Sequence, residues 1–290
     1  MHVRAVAAAT TAFLGATVLL LPSSAAHAAA DAENPLVVVA HRGASAYAPE
    51  NTLAAVDKAD EMGFEWVEND VQRTKDGRLV VLHDATLTRT TNVEELYPER
   101  APWNVADFTA AEIARLDAGS WFGSDYAGAR VPTLEQYMRR VTRNHQKLVL
   151  EIKNPQLYPG IEQQTLKVLG NEGWLGPEQL ERLVIQSFGA DTVRRVHELR
   201  PAVKTGLLGT PDIADLPEYA TFSDQINSSY TTISESYVAT LHALQGPHGK
   251  PLEILTWTVN DATNARRVAG YGVNGIITNK PDVVRDATQG

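Results

Sequence analysis

The chain has no cysteine and, beyond its N-terminal stretch, no apolar run of membrane-spanning length. Without thiols there is no disulfide to staple the fold and no lipid acceptor near a cleavage site, so a buried core must hold it together. About 260 residues can bury such a core. Positive charge is in deficit, with 26 Lys and Arg against 35 Asp and Glu and a formal net charge of -9. A surface this acidic argues against nucleic acid as a partner. Small anionic ligands stay open, because one bound cation reverses the field inside a cleft.

The N-terminus carries Arg4, an apolar run through Phe13, Leu14 and Val18 to Leu21, and the small residues Ala26-His27-Ala28. That order predicts a Sec-type secretory signal peptide over residues 1–28, cleaved after Ala28. The run is closed by Pro22 and is shorter than the roughly 20 residues a membrane helix needs. The expected product is a secreted single domain over 29–290 with no stable membrane anchor. No feature of the sequence indicates its oligomeric state.

Short apolar runs then alternate with amphipathic segments. Candidate strands are Leu36 to Ala40, Trp66 to Asp70, Leu148 to Ile152, Leu183 to Gln186, Val203 to Leu208, Asp224 to Asn227, Ile254 to Val259 and Gly275 to Thr278. Candidate helices cover Asn51 to Met62, Leu134 to Arg143, Ile161 to Glu172, Asp191 to Leu199, Ser234 to Leu244 and Asp261 to Ala269. Alternation of this kind implies parallel β/α units. Eight of them in about 250 residues predict an α/β fold of the (β/α)8 TIM-barrel type. Residues 85–130 break the alternation and carry Trp103, Phe108, Trp121 and Phe122. They are expected to form an insertion, after a β-hairpin that follows strand 2, packed over the active-site mouth.

The residues that carry chemistry sit where strands end, which in a barrel is the active face. His41-Arg42-Gly43 closes the first strand, and Arg42 offers a donor fork suited to phosphate oxygens. Gly43 is expected to let backbone approach a ligand closely. Glu68 and Asp70 are two apart on the second strand, so both carboxylates face one way. Carboxylates facing into an apolar barrel are costly to ionise unless a cation compensates them. Glu151 and Lys153 form a second same-face pair, completing a three-carboxylate site and adding a cation for phosphate. All-oxygen ligands favour one divalent cation, Ca2+ or Mg2+, over zinc. Asp76-Gly77 reads as a two-residue hairpin turn. In that register position 71 faces 82 and 70 faces 83, which predicts His83 opposite Asp70.

In order along the chain, His41-Arg42-Gly43, Pro49-Glu50-Asn51-Thr52, Glu68-x-Asp70-Val71, His83-Asp84, Glu151-x-Lys153, Gln186-Ser187-Phe188, Trp257-Thr258-Val259-Asn260 and Thr278 to Asp282 resemble the signature blocks of glycerophosphodiester phosphodiesterases. The resemblance implies metal-dependent hydrolysis of a small glycerophosphodiester to sn-glycerol 3-phosphate and an alcohol. It maps His41 and His83 onto the general acid and base, without assigning which is which, and Glu68, Asp70 and Glu151 onto the metal ligands. Arg42 and Lys153 match phosphate-binding positions, and Trp257 matches an aromatic on the glycerol side.

Blander readings compete. Glu50 suits either a helix start, through the helix dipole, or support of the site from behind. Lys153 could serve only as an internal ion-pair partner, and Trp257 could be filling at the barrel mouth. The remaining histidines, at 2, 27, 145, 197, 242 and 248, are read as structural or surface residues. The rival activity is that of a phospholipase D or sphingomyelinase D-like lyase, which would leave a cyclic phosphate; a binding protein on the same barrel is a more distant possibility.

Overall fold

A computed structural model describes residues 1, 2 and 36–289; the expected signal segment falls almost wholly outside them. Eight parallel strands form a barrel: β1 (Val37–Ala40), β2 (Trp66–Arg73), β4 (Lys147–Ile152), β5 (Leu183–Ser187), β6 (Lys204–Leu208), β7 (Gln225–Asn227), β8 (Leu255–Thr256) and β9 (Gly275–Thr278). They neighbour one another in that order, and β9 returns to β1. Parallel bridges from Gln225 to Glu253 and from Ser229 to Trp257 join β7 to β8 and close the ring. β3 (Leu79–Val81) stands outside it, antiparallel to β2.

The helices around the ring are α1 (Leu53–Glu61), α2 (Leu134–Arg143), α3 (Ile161–Asn171), α4 (Ala190–Leu199), α5 (Glu235–His242), α6 (Ala262–Gly270) and α7 (Pro281–Thr288). The first six match the amphipathic segments expected from sequence. α7 was not anticipated. Helix starts are capped as their residues dictate: Thr52, Thr133, Ser234 and Asp261 each accept a backbone N–H three residues ahead. Among the described residues no helix is long and apolar enough to cross a membrane.

Strand parity separates two cores. Positions 38, 40, 67, 71, 148 and 150 pack outward against the helices. Val39, Val149, Val184, Leu255 and Ile277 meet inside the barrel, with Trp66 and Trp257 at their edge. Because side chains alternate along a strand, inward positions continue upward from these residues. From Val39 the next is His41, from Trp66 they are Glu68 and Asp70, and from Val149 they are Glu151 and Lys153. The interior is therefore apolar at its middle and ionisable at its carboxyl end.

Residues 84–131 carry a small core of their own. Leu87, Val93, Val105, Phe108, Ile113, Leu116 and Val131 cluster with Val80 and Leu82 of the hairpin. The Asp117 carboxylate ties the loop by accepting the N–H groups of Gly119, Ser120 and Gly128, each at 2.8 Å. The segment touches the β1–α1 connection, where the Tyr126 hydroxyl donates to the Tyr47 carbonyl at 2.7 Å.

The hairpin differs from the expected register by one residue. Val71 faces Val81 and Arg73 faces Leu79, while the Gly77 N–H donates to the Thr74 carbonyl at 3.0 Å. The loop is thus three residues, with Gly77 left-handed at φ 77°, a turn ending in a glycine bulge instead of a two-residue turn. Asp70 consequently lies opposite Leu82, whose N–H donates to the Asp70 carbonyl at 3.0 Å. His83 has already left the ladder and reaches the site by another route.

Candidate active site

Glu68, Asp70 and Glu151 converge, each offering an oxygen within 4.8 Å of the others, and all three are buried. β2 supplies two and its neighbour β4 the third, with Asp70 directly beside Glu151 in register. Their surroundings hold them individually. The Arg42 backbone N–H donates to Glu68 Oε2 at 2.8 Å. The Asn51 side chain grips Asp70 twice, donating to Oδ2 at 2.7 Å and accepting the Asp70 N–H at 3.3 Å. Lys153 Nζ lies 2.8 Å from Glu151 and 3.8 Å from Asp70. Arg42 Nε lies 3.3 Å from Asp70 Oδ2.

Crowding of buried like charges shows in the titration of the trio. Burial, then Asp70 and Glu151, push Glu68 well above the usual carboxylate range. Burial and Asp70 likewise raise Glu151 to about 8 despite the Lys153 ammonium beside it. Burial opposes ionisation of Asp70 as well, yet Arg42, Lys153, His83 and Asn51 together bring it below its ordinary value. Asp70 Oδ1, fully buried, has no hydrogen-bond partner. A carboxylate oxygen left without a donor beside two carboxyls raised by their neighbours is the donor set a hard divalent cation satisfies. The residues present fit such an ion.

Both expected imidazoles border the same cleft, of about 120 Å³, together with Arg42, Glu151, Lys153 and Trp257. His41 Nδ1 lies 2.6 Å from the Asn279 amide oxygen, so Nδ1 carries the proton and Nε2 is left as acceptor. Asn260 Oδ1 holds the Asn279 backbone by accepting its main-chain N–H at 2.9 Å. Burial, then the Arg42 charge, lower His41 to about 4. His83 Nδ1 instead lies 2.7 Å from the Asp84 carboxylate. Gln72 brings His83 to the cleft: its Nε2 donates to the carbonyls of Leu82, His83 and Asp84 at 2.8, 3.1 and 2.5 Å. One buried amide thus folds the chain after β3 back over the end of β2.

Glu50 precedes α1, which Thr52 caps, and accepts from Arg42 Nη1 at 2.8 Å and from both terminal nitrogens of Arg89 at 2.8 Å. Trp257 is fixed by an indole N–H to the Asn227 carbonyl at 2.8 Å and meets Phe188 edge to face at 5.7 Å. Phe188, 54% exposed, was not among the expected site residues, although it follows Gln186 by two and so shares its inward parity. Gly43, at φ 78°, packs on α1, where a Cβ would lie 2.6 Å from the backbone of Ala55.

Comparison with known proteins decides the family. The model of the glycerophosphoryl diester phosphodiesterase family matches residues 41–283. The chain belongs to that family. Its match begins at His41 and ends at the third residue of α7, so every site residue described above lies inside it. A glycerophosphodiester phosphodiesterase of Bacillus subtilis is 34% identical over 270 residues, covering 88% of this chain and 87% of its own. One from Caldanaerobacter subterraneus is 36% identical over 251 residues, covering 86% and 96%. Among solved structures, an Oleispira antarctica phosphodiesterase in complex with its product sn-glycerol-3-phosphate superposes with a TM-score of 0.76. It is 27% identical, over 90% of this chain and 99% of that one. The Oleispira structure shares the fold of this chain.

Proposed function

We propose that this protein hydrolyses glycerophosphodiesters to sn-glycerol 3-phosphate and an alcohol, with His41 and His83 as base and acid. The observation that carries the proposal is the meeting of two imidazoles, each held through Nδ1, with three buried carboxylates in one cleft. The names of the Bacillus and Caldanaerobacter relatives and the product in the Oleispira complex support the substrate class.

Glu68, Asp70 and Glu151 would hold one divalent cation, Ca2+ or Mg2+, which when bound offsets charge on the phosphoryl oxygens. Charge counting favours it: three carboxylates against Arg42 and Lys153 leave one negative charge. A divalent ion turns that to a single positive charge, which a phosphodiester monoanion balances. Arg42 and Lys153 bind the phosphate oxygens, and Trp257 with Phe188 walls the glycerol side.

His41 is neutral near pH 7, because burial and Arg42 disfavour its charge, so its Nε2 accepts a proton from the attacking water as the new P–O bond forms. His83 shares Nδ1–H with the Asp84 carboxylate at 2.7 Å, which leaves Nε2 facing the cleft as the proton-carrying atom of this reading. Its Nε2 then delivers a proton to the oxygen of the departing alcohol as the P–O bond breaks. Segment 84–131 forms part of the wall over the mouth, as its contacts with Tyr47 and Glu50 suggest. Export is part of the same reading and rests on the composition of residues 1–28; the N-terminus of the mature protein, read by mass spectrometry, tests cleavage after Ala28.

The activity is tested with a panel of glycerophosphodiesters plus Ca2+, Mg2+ or chelator, on the mature chain, His41→Ala and His83→Ala. Phosphorus NMR expects sn-glycerol 3-phosphate; a persistent cyclic phosphate would mean a lyase instead.

A further inference from the structure

The fold places a guanidinium from outside the barrel between the two halves of the site. Arg89 belongs to the segment after the hairpin, and two carboxylates take four of the five N–H donors of its fork. Nε donates to Asp84 Oδ2 at 2.6 Å and Nη2 to Asp84 Oδ1 at 3.0 Å, while Nη1 and Nη2 donate to Glu50 Oε2 and Oε1 at 2.8 Å each. Asp84 in turn holds His83 Nδ1, and Glu50 holds Arg42 Nη1 at 2.8 Å. Arg42–Glu50–Arg89–Asp84–His83 is therefore one unbroken chain of charged hydrogen bonds.

We infer that Arg89 is a positioning residue for proton transfer to the leaving alcohol: it locks the Asp84 carboxylate in the plane that aims His83 Nε2 into the cleft. The inference rests on the reading of His83 as proton donor. A single Asp84–His83 hydrogen bond leaves the carboxylate free to rotate about its Cβ bond, whereas a two-point guanidinium contact fixes both oxygens. Asp84 lies about one-third exposed, at 29%, so water would otherwise compete for the oxygen that faces His83. The Glu50 end of the same fork anchors Arg89 to the β1–α1 connection and therefore to the barrel. A surface segment with its own small core is registered against the catalytic face through this side chain. A purely structural ion bridge would affect all substrates alike; a positioning role would not.

Leaving-group dependence separates the two. When the P–O bond breaks, a choline alkoxide must receive a proton, whereas nitrophenolate departs without one. Arg89→Gln, Arg89→Lys and His83→Ala are assayed on glycerophosphocholine and on glycerol 3-(4-nitrophenyl phosphate). For Arg89→Gln the kcat on glycerophosphocholine is expected to fall roughly 10- to 100-fold with KM changed little, while the nitrophenyl ester loses less than about threefold. Arg89→Lys restores the charge but not the fork and is expected to stay impaired. The ratio of the two rates does not depend on how much of a variant is folded, so partial unfolding cannot mimic the result. Equal losses on both substrates in Arg89→Gln, with His83→Ala still discriminating, would overturn the role of Arg89 alone. Should His83→Ala itself fail to discriminate, His83 is not the donor and the inference falls with that assignment.

Discussion

Asn51 and Asp70 are joined twice, the amide donating to Oδ2 at 2.7 Å and accepting the backbone N–H at 3.3 Å. Asn51 sits in the left-handed region at φ 58°, a conformation asparagine tolerates better than most residues, at the end of the β1–α1 connection. The pair hydrogen-bonds Asp70 through Oδ2 and leaves Oδ1 without a hydrogen-bond partner, with only the Lys153 ammonium 3.8 Å away. Asn51→Ala frees the carboxylate to turn, and the expected cost is a roughly 10- to 100-fold loss of divalent-metal affinity. Calorimetric titration with Ca2+ and Mg2+ measures it; unchanged affinity would detach Asp70 from the metal site.

Metal binding is expected to release protons. Glu68 and Glu151 titrate above their ordinary range because burial and neighbouring carboxylates oppose their ionisation, so near neutral pH an incoming cation displaces protons from them. Calorimetry in buffers of different ionisation enthalpy reads the number released. Apparent affinity strengthens as pH rises toward about 8, the value to which Glu151 is raised. An affinity flat across that range contradicts the raised carboxyls.

The same shifts set the pH dependence of stability. A carboxyl raised in the folded state binds protons more tightly there than in the unfolded chain. Its contribution is fully present below the ordinary glutamate value of 4.5 and is lost as pH rises through about 8. His41, lowered to about 4, works the other way, and its contribution is lost as pH falls from 6.5. The rise in Tm on adding metal is therefore expected to be larger at pH 8 than at pH 6, as thermal unfolding at the two values would reveal.

Much of this architecture was legible in the residues. Most of the strand runs are apolar on both faces and stand out from the amphipathic helices, whereas Asp224 to Asn227, polar at three of four positions, is the faintest of them. Two-residue periodicity then aligned Glu68 with Asp70 and Glu151 with Lys153 without any knowledge of pairing. Partners from distant segments were not legible: Asn279 meets His41 across 238 residues, and nothing local in Thr278-Asn279-Lys280 announces it. Arg89 and Gln72 act through contacts that only the folded hairpin creates. The hairpin register slipped because Asp-Gly suits both a two-residue turn and a three-residue loop ending in left-handed glycine. α7 was missed because it is short and begins at Pro281, a residue that reads as a breaker unless its place in the first turn is recognised.

Gln72→Ala removes the donor shared by the Leu82, His83 and Asp84 carbonyls. Leaving them short of a partner is expected to cost about 1–3 kcal/mol of stability. Activity on glycerophosphocholine should fall further than the folded fraction does, because the His83 segment loses its hold. Chemical denaturation alongside kcat at saturating metal checks both; activity that simply tracks the folded fraction would make Gln72 structural only.

Gly43→Ala adds a Cβ at φ 78°, 2.6 Å from the Ala55 backbone. Left-handed strain and overpacking against a helix together are expected to cost about 2–4 kcal/mol, visible as a lowered Tm. A variant as stable as the parent would mean that α1 can move aside.

The most direct measurement is the release of sn-glycerol 3-phosphate from glycerophosphocholine by the metal-loaded protein, compared with Glu68→Gln, Asp70→Asn and Glu151→Gln and with chelator-treated parent. Turnover is expected in the loaded parent, lost with chelator, restored by Ca2+ or Mg2+, and at least roughly 100-fold lower in each carboxylate variant while they remain folded. Full turnover in chelator, or in any folded variant of the trio, would contradict a catalytic metal held by Glu68, Asp70 and Glu151.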